Sequence, residues 1–429
     1  MIEGSQMQRE IIQVEEKVPI LKSIPLSLQH MFAMFGASVI VPLTFHISPA
    51  IVLLMNGIGT LIFILITKGK APAFLGSSFA FIAPVLLIIG KGKMNYQYAL
   101  GGFIVSGAIF CLVAIIIRFF GIKWIDVLLP PAAMGAVVAL IGLELAGTAA
   151  QSGGIVISGD YKSIDPKFVA VFLVTLLVAV FGSVLFRKFL AVIPLLIAIV
   201  AGYGLACVLG IVNFAPVQQA EWFAIPNFSS PIFDWTAISI IIPASLVVIS
   251  EHIGHQLVTS KIVGRDLIKS PGLHRTLLAD GISTMLSGFC GSVPTTTYGE
   301  NIGVMAITRV YSVQVIGGAA VISIIVAFVG KMTTLIQTIP GPVVGGVSFL
   351  LYGMIAASGI RLLVESKVDY SRSRNLALTS IVLITGLSGV SIPIGAVELK
   401  GMALATIVGM ILSLLFYLID LFHLANDYE

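Results

Sequence analysis

Between residues 24 and 421 the chain is a succession of apolar stretches close to the roughly 20 residues that carry an α-helix through the hydrocarbon core of a bilayer. A backbone in lipid has no water to bond, so a spanning segment must satisfy its own amides and carbonyls, and helices of this length do so. Dividing the runs at charges, Gly-Lys-Gly turns and prolines gives spans near 24–46, 49–67, 72–90, 96–118, 124–147, 168–186, 189–213, 236–259, 274–290, 292–308, 313–330, 335–358, 375–391 and 401–421. The expected fold class is an all-α polytopic membrane protein with fourteen transmembrane segments.

Composition agrees with that class, since 58% of residues are hydrophobic and 10% charged, against about a quarter charged in soluble domains. The first 22 residues are polar, with Glu10, Glu15, Glu16, Lys17 and Lys22, and lack the basic start, apolar stretch and small-residue cleavage site of a signal peptide. The stretch after Leu421 is too short for a soluble domain of any size. Cys111, Cys207 and Cys290 stand in apolar surroundings without paired spacing, which argues against a disulfide framework or a metal site.

An even number of spans puts both termini on one side. With the termini cytoplasmic, 18 of the 24 Lys and Arg fall inside, among them Lys68, Lys70, Arg118, Lys123, Arg187, Lys188, Lys261, Arg265, Lys269 and Arg275. Lys91, Lys93, Lys162, Lys167, Lys331 and Lys400 fall outside. Twelve spans with two re-entrant runs satisfy the same charge bias.

The two halves resemble each other. Aligning Pro131 on Pro342, an offset of 211, superposes Gly135 on Gly346 and Gly142 on Gly353. The PLSL at Pro25 and the PASL at Pro243 recur at an offset of 218, and the Gly-Ser pairs at Gly76 and Gly291 at 215. Seven spans per half is an odd number, so the repeats have opposite orientation, an architecture that places binding sites near the midplane between discontinuous helices. Two segments look discontinuous. Gly291 to Arg309 carries Pro294, three threonines, a Tyr-Gly pair and Glu300, and Pro72 to Gly90 opens with Pro and Gly-Ser-Ser before turning apolar. The expectation is that residues 76–79 and 294–299 pair as short antiparallel strands interrupting segments three and ten, each followed by a half-helix whose N-terminal amides face the middle of the membrane.

Setting aside Asp126 and Asp420 at the very ends of their spans, four acids fall within spans, Glu144, Glu251, Asp280 and Glu300, and a charge at a helix centre costs about 2.5–3.5 kcal/mol. Glu251 and His255 are four residues apart and share a helix face, whereas His252 points about 100° away. The pair suits proton sharing, or equally a structural tie between two spans. Asp280 is about two turns from the basic loop and reads as a structural group meeting Arg275 or water. Glu144 suits capping a neighbouring helix as well as relaying a proton. His30 reads first as a structural hydrogen bond, Tyr352 as a ring packing in its span or closing over a ligand. Phe79 and Tyr298, at the two breaks beside Ser78, are placed to stack on a flat ligand; Asn301 is placed to brace Glu300 or a neighbouring span.

Carboxylate acceptors, free half-helix amides and aromatic faces fit a small planar heterocycle bearing N–H and C=O groups. An anion fits less well, since Glu251 and Glu300 repel it unless protonated. No Walker-type loop, metal-ligand cluster or nucleophile elbow is present in the sequence, so neither ATP-driven transport nor enzymatic hydrolysis is expected, and no cofactor, metal or nucleic acid is implied.

The run Glu300 to Arg309, ENIGVMAITR, matches the signature of the nucleobase–ascorbate transporter family: Gln, Glu or Pro, then Asn, any residue, Gly, four of any kind, Thr, and Arg, Lys or Gly. The resemblance extends over nearly the whole chain, through SLQHMFAMFGASVIVP, GSSFAFI, SEHIGH and LKGMALATIVG. Glu at the first signature position is similar to the proton-coupled, uracil-importing bacterial branch, where purine carriers commonly have Gln. The resemblance implies a cytoplasmic tail over 1–23, a core domain over 24–123 and 236–330, a gate domain over 124–213 and 335–421, and a homodimer in the bacterial inner membrane. It implies that Glu251 and Glu300 accept uracil N–H groups, with the backbone at Phe79 and Gly299 donating and Tyr298 in contact. Glu251, His255 and His30 would link to protons, and Tyr352 would face the site from the gate. A purine or xanthine permease of the same family and an anion exchanger or channel of the same fold are the alternatives.

Overall fold

The computed structural model describes residues 11–90, 94–157, 163–187, 190–394 and 397–424. Lys91, Lys93, Lys162 and Lys188 of the charge count, and residues 1–10 of the tail, lie outside the described residues. In chain order the helices are α1 (Ile20–Thr44), α2 (Pro49–Ile66), α3 (Ile82–Gly90), α4 (Tyr96–Phe120), α5 (Lys123–Leu128), α6 (Pro131–Ser152), α7 (Pro166–Leu185), α8 (Pro194–Val208) and α9 (Ala215–Gln219). The second half contributes α10 (Trp235–Val263), α11 (Leu273–Cys290), α12 (Gly299–Thr308), α13 (Val313–Ala327), α14 (Gly330–Gln337), α15 (Gly341–Glu365), α16 (Ser373–Leu387) and α17 (Gly401–Leu421). Strand β1 (Leu75–Ser77) precedes α3 through a single 3-10 turn at Phe79–Phe81, β2 (Thr295–Thr297) precedes α12, and β3 (Ser391–Ile394) with β4 (Val397–Lys400) forms a hairpin before α17 that the sequence reading does not contain.

Setting aside the short α5, α9 and α14, these elements make fourteen segments, two inverted sets of seven, with strands interrupting the third and tenth. Among the described residues, eight helices are long and apolar enough to span a bilayer by themselves. Two of the remaining crossings are the strand-plus-half-helix units, and α11 carries His274, Arg275 and Asp280.

Prolines set several of the boundaries. Pro49, Pro131, Pro166 and Pro194 each occupy the first turn, where a missing N–H costs nothing. The same effect moves two expected spans: Pro130 and Pro131 split the stretch at 124–147 into α5 and α6, and Pro340 and Pro342 delay the span expected at 335 until Gly341. Side chains also cap helix starts: Asp234 Oδ1 accepts from Ala237 N at the head of α10 (3.0 Å), and Asp165 Oδ1 from Lys167 N at the head of α7 (2.8 Å).

Two groups of helices result. In one, α4 packs along α11, α2 along α13 and α11, and α10 along α4; in the other, α6 packs along α15 and α16, and α7 along α8 and α15. The repeat-related pair α6 and α15 crosses at small residues: a Cβ on Gly142 would stand 2.0 Å from the Tyr352 carbonyl oxygen, and one on Gly359 2.3 Å from the Ala139 nitrogen. The groups meet where α10 reaches α6 and α17 and where α1 reaches α8 and α15.

Candidate functional site

The two interrupted segments meet at the interior of the first group. β1 and β2 are antiparallel, with Leu75 opposite Thr297, Gly76 opposite Thr296 and Ser77 opposite Thr295. Ser78 N donates to Pro294 O (2.9 Å) and Tyr298 N to Phe74 O (3.1 Å), continuing the ladder at both ends. The outer edges are closed by hydroxyls: Leu75 N donates to Thr60 Oγ1 (2.9 Å) and Thr295 N to Thr284 Oγ1 (3.2 Å). Such closure is what lets extended backbone persist at membrane depth. Gly76 is required by its neighbour, because a Cβ there would stand 2.1 Å from the Tyr298 ring.

The strands leave two helix starts without a side-chain cap, at Ser78 ahead of the 3-10 turn and at Tyr298 ahead of α12. Amides at such starts are the donors a polar ligand can use. Above them Phe79 and Tyr298 stack at 6.5 Å between centroids and 16° between planes, and Tyr352 of α15 sets its ring against Phe79 at 6.1 Å and 76°. All three rings are buried and filled by one another.

Glu251 and His255 lie on α10 with Oε1 and Nε2 4.0 Å apart, each side chain about one-fifth exposed. They line a cavity of about 350 Å³ with Ser250, Gly254, Gly299, Gly303 and Arg361. Gly299 brings the start of α12 against this wall, since a Cβ on it would stand 3.2 Å from His255 Nε2. Glu300 faces a different cavity, about 210 Å³, bordered by Phe32, Leu195 and Met354, and the two share Gly303. Glu300 and Asp280 nonetheless lie within electrostatic reach of Glu251. Phe79, Tyr298 and Tyr352 border neither cavity. Buried Glu251 Oε2 and Ser78 Oγ have no protein partner among the described residues.

His30 and Asn301 form one contact, Nδ1 to Oδ1 at 3.0 Å, tying α12 to α1. Asn301 therefore bonds a neighbouring span. The rest of the signature also has a mechanical account. Gly303 stands between the two cavities, Thr308 Oγ1 donates to Val304 O (2.8 Å), and Arg309 closes α12 in the left-handed region at φ 58°. A glycine alternative at that last position follows from its backbone.

One acid departs from expectation. Asp280 meets neither Arg275 nor bulk water: its Oδ2 lies 2.8 Å from His252 Nδ1, with neither side chain exposed. The helical periodicity that turns His252 away from the Glu251 face aims it at α11. Thr276 Oγ1 lies 3.0 Å from Leu273 O and 2.9 Å from His252 Nε2, holding the far side of the His252 ring. Thr297 Oγ1 joins the two histidines, 3.4 Å from His252 Nδ1 and 3.3 Å from His255 Nδ1. A chain of polar contacts thus runs His255, Thr297, His252, Asp280, with Glu251 4.0 Å from His255 at its cavity end. Glu144 caps a helix: its Oε2 accepts from Met402 N (3.0 Å) at the start of α17.

The arrangement matches known proteins at three levels. The Permease family model (Xan_ur_permease) matches residues 21–395. A protein of Paenibacillus larvae subsp. larvae named "Uracil permease" is 57% identical over 98% of this chain and 100% of its own length, and one of that name from Escherichia coli K12 is 59% identical over 96% of each. Among solved structures, the murine anion transporter Slc26a9 in its inward-facing state superposes with a TM-score of 0.73 at 10% identity, covering 95% of this chain and 69% of that one. The transmembrane domain of the cyanobacterial bicarbonate transporter BicA gives 0.61 at 14%, covering 95% and 99%. At those identities the structures share the fold alone. With a match to nearly its whole length and relatives well above half identical, this multi-pass membrane protein belongs to the Permease family.

Proposed function

We propose that this protein imports uracil together with protons across the bacterial inner membrane by alternating access. The observation that carries the reading is the carboxylate–imidazole pair of Glu251 and His255 on the wall of a cavity that also contains Gly299 at the uncapped start of a half-helix. Uracil offers N–H groups for Glu251 and Glu300 to accept and carbonyls for the amides at Phe79 and Gly299. Tyr298 and Phe79 supply ring contact once their mutual stacking opens, and Tyr352 approaches from the facing group of helices. The names of the relatives support uracil as the substrate.

In this reading α1 to α4 and α10 to α13 form the core domain, and α6 to α8 with α15 to α17 form the gate domain that rocks against it. Both termini are cytoplasmic, and the cavity lined by Ile262 and Glu365 is the one that takes the substrate. The protein functions as a homodimer. Protonation at the Glu251–His255 pair precedes uracil binding, and His30 acts by holding Asn301. One inward proton yields about 2.3 kcal/mol per 100 mV, and a tenfold gradient requires about 1.4 kcal/mol. A single proton per uracil therefore sustains more than tenfold accumulation.

The test is radiolabelled uracil uptake into proteoliposomes under an imposed inward proton gradient, with and without sodium and with competing purines. Accumulation that collapses with the gradient is expected. Chloride or bicarbonate flux without nucleobase uptake, or preference for xanthine, would overturn it.

A further inference from the structure

The ten-residue half-helix α12 is too short to hold its place through its own hydrogen bonds, since isolated helices below about 12–15 residues are marginal. Its first turn is fixed by the β1–β2 ladder and by Asn301 on His30. Its far end runs into residues 309–314, and this stretch finds its polar partners in the segment ahead of α1. Ile12 N donates to Arg309 O (3.1 Å), Tyr311 N to Ile12 O (2.8 Å) and Val313 N to Val14 O (2.9 Å). Ser312 Oγ donates to Glu16 O (2.7 Å), and the Gln314 amide closes both backbone groups of Val18, accepting from N and donating to O at 3.0 Å each. Val14 and Val18 are buried beneath, Val18 against Val310 and Val315. At the outer edge Arg265, in the loop after α10, donates to both Glu15 oxygens at 2.7 and 2.6 Å.

We infer that residues 12–18 are a positioning strap for the ligand site: they anchor the far end of α12 and, through Glu15, tie it to the loop following the helix that carries Glu251 and His255. The strap touches no ligand. It sets the spacing between the start of α12 and the α10 wall, so loosening it moves Gly299 and Glu300 relative to Glu251. The inference rests on the reading of α12 as a uracil-holding element.

The test compares equilibrium binding of radiolabelled uracil by the detergent-purified full chain with that by Gln314→Met and Glu15→Arg. Gln314→Met keeps the volume and removes both bonds to Val18; it is expected to weaken binding about fivefold, the scale of one or two neutral hydrogen bonds. Glu15→Arg should weaken binding by a smaller factor that Glu15→Arg with Arg265→Glu restores, a rescue that a residue serving folding alone would not show in affinity. Wild-type affinity in both single variants would overturn the strap. Absence of uracil binding by the unaltered protein would instead overturn the reading of the site.

Discussion

His252 and Asp280 face each other at 2.8 Å with neither side chain reaching solvent. Each is the buried polar partner of the other, and Thr296 adds a longer contact of 3.4 Å to the same carboxylate oxygen. Removing one member of a buried pair leaves its partner uncompensated, at a cost of roughly 3–5 kcal/mol. Asp280→Ala and His252→Ala should each lower the thermal unfolding temperature sharply in detergent. The double variant should lose much less than the two losses added together. Strict additivity would mean that the two residues act independently.

Glu251 and Glu300 are predicted to be separately necessary for uracil binding although they border different cavities. A hydrogen bond to a charged group contributes about 1.5–3 kcal/mol, so alanine at either position should weaken affinity by about tenfold to well over a hundredfold. Isothermal titration with uracil reads this directly. Near-normal affinity in Glu300→Ala beside a silent Glu251→Ala would remove Glu300 from the ligand and leave the larger cavity as the whole site.

His255 touches Thr297 on one side and Glu251 on the other, and borders the larger cavity. His255→Ala should impair proton-driven accumulation more than it impairs exchange of internal for external uracil, because exchange needs no net proton movement. Unchanged accumulation under a pH gradient would remove His255 from the coupling path.

Much of this arrangement was legible in the sequence, for identifiable reasons. Apolar run length gave the segments, and Pro294 with the threonines gave the break in the tenth. The Gly-Ser match proved a looser guide: Gly291 ends α11 in the left-handed region at φ 86°, and the strand equivalent to Leu75–Ser77 starts further on, at Thr295. Spacing along one helix identifies the Glu251–His255 face but carries no information about α11, so sequence distance alone pairs Asp280 with nearby Arg275. The hint lay in the same motif, where the residue between Glu251 and His255 that turned away was itself ionisable. Likewise the Gly401 turn that brings Met402 N to Glu144 depends on a contact across the fold, which no local pattern encodes.

That contact supplies its own prediction. The Glu144 carboxylate serves as the N-terminal cap of α17, so Glu144→Ala should cost about 0.5–2 kcal/mol of stability and leave uracil affinity unchanged. Gly401→Ala should be worse, since Gly401 has φ 60° and a Cβ there would stand 2.1 Å from Glu144 Oε1. Thermal denaturation with and without saturating uracil separates the two effects. A drop in affinity for Glu144→Ala with intact stability would make it part of the transport path.

Arg309 ends the signature run in a conformation that side chains tolerate poorly. Its φ of 58° is left-handed, its N–H bonds Met305 O at 2.9 Å to close α12, and its side chain is exposed. The left-handed region costs a non-glycine residue roughly 1–2 kcal/mol, partly offset because glycine loses more freedom on folding. Arg309→Gly is therefore expected to be neutral or stabilising by up to about 1 kcal/mol, with uptake preserved. Arg309→Val should be destabilising, because β-branching adds to the strain at positive φ. The backbone bond from Ile12 N to Arg309 O is available to all three residues, so the ranking isolates the dihedral angle. If glycine were as damaging as valine, the position would be selected for its guanidinium, and the cap would not explain the signature.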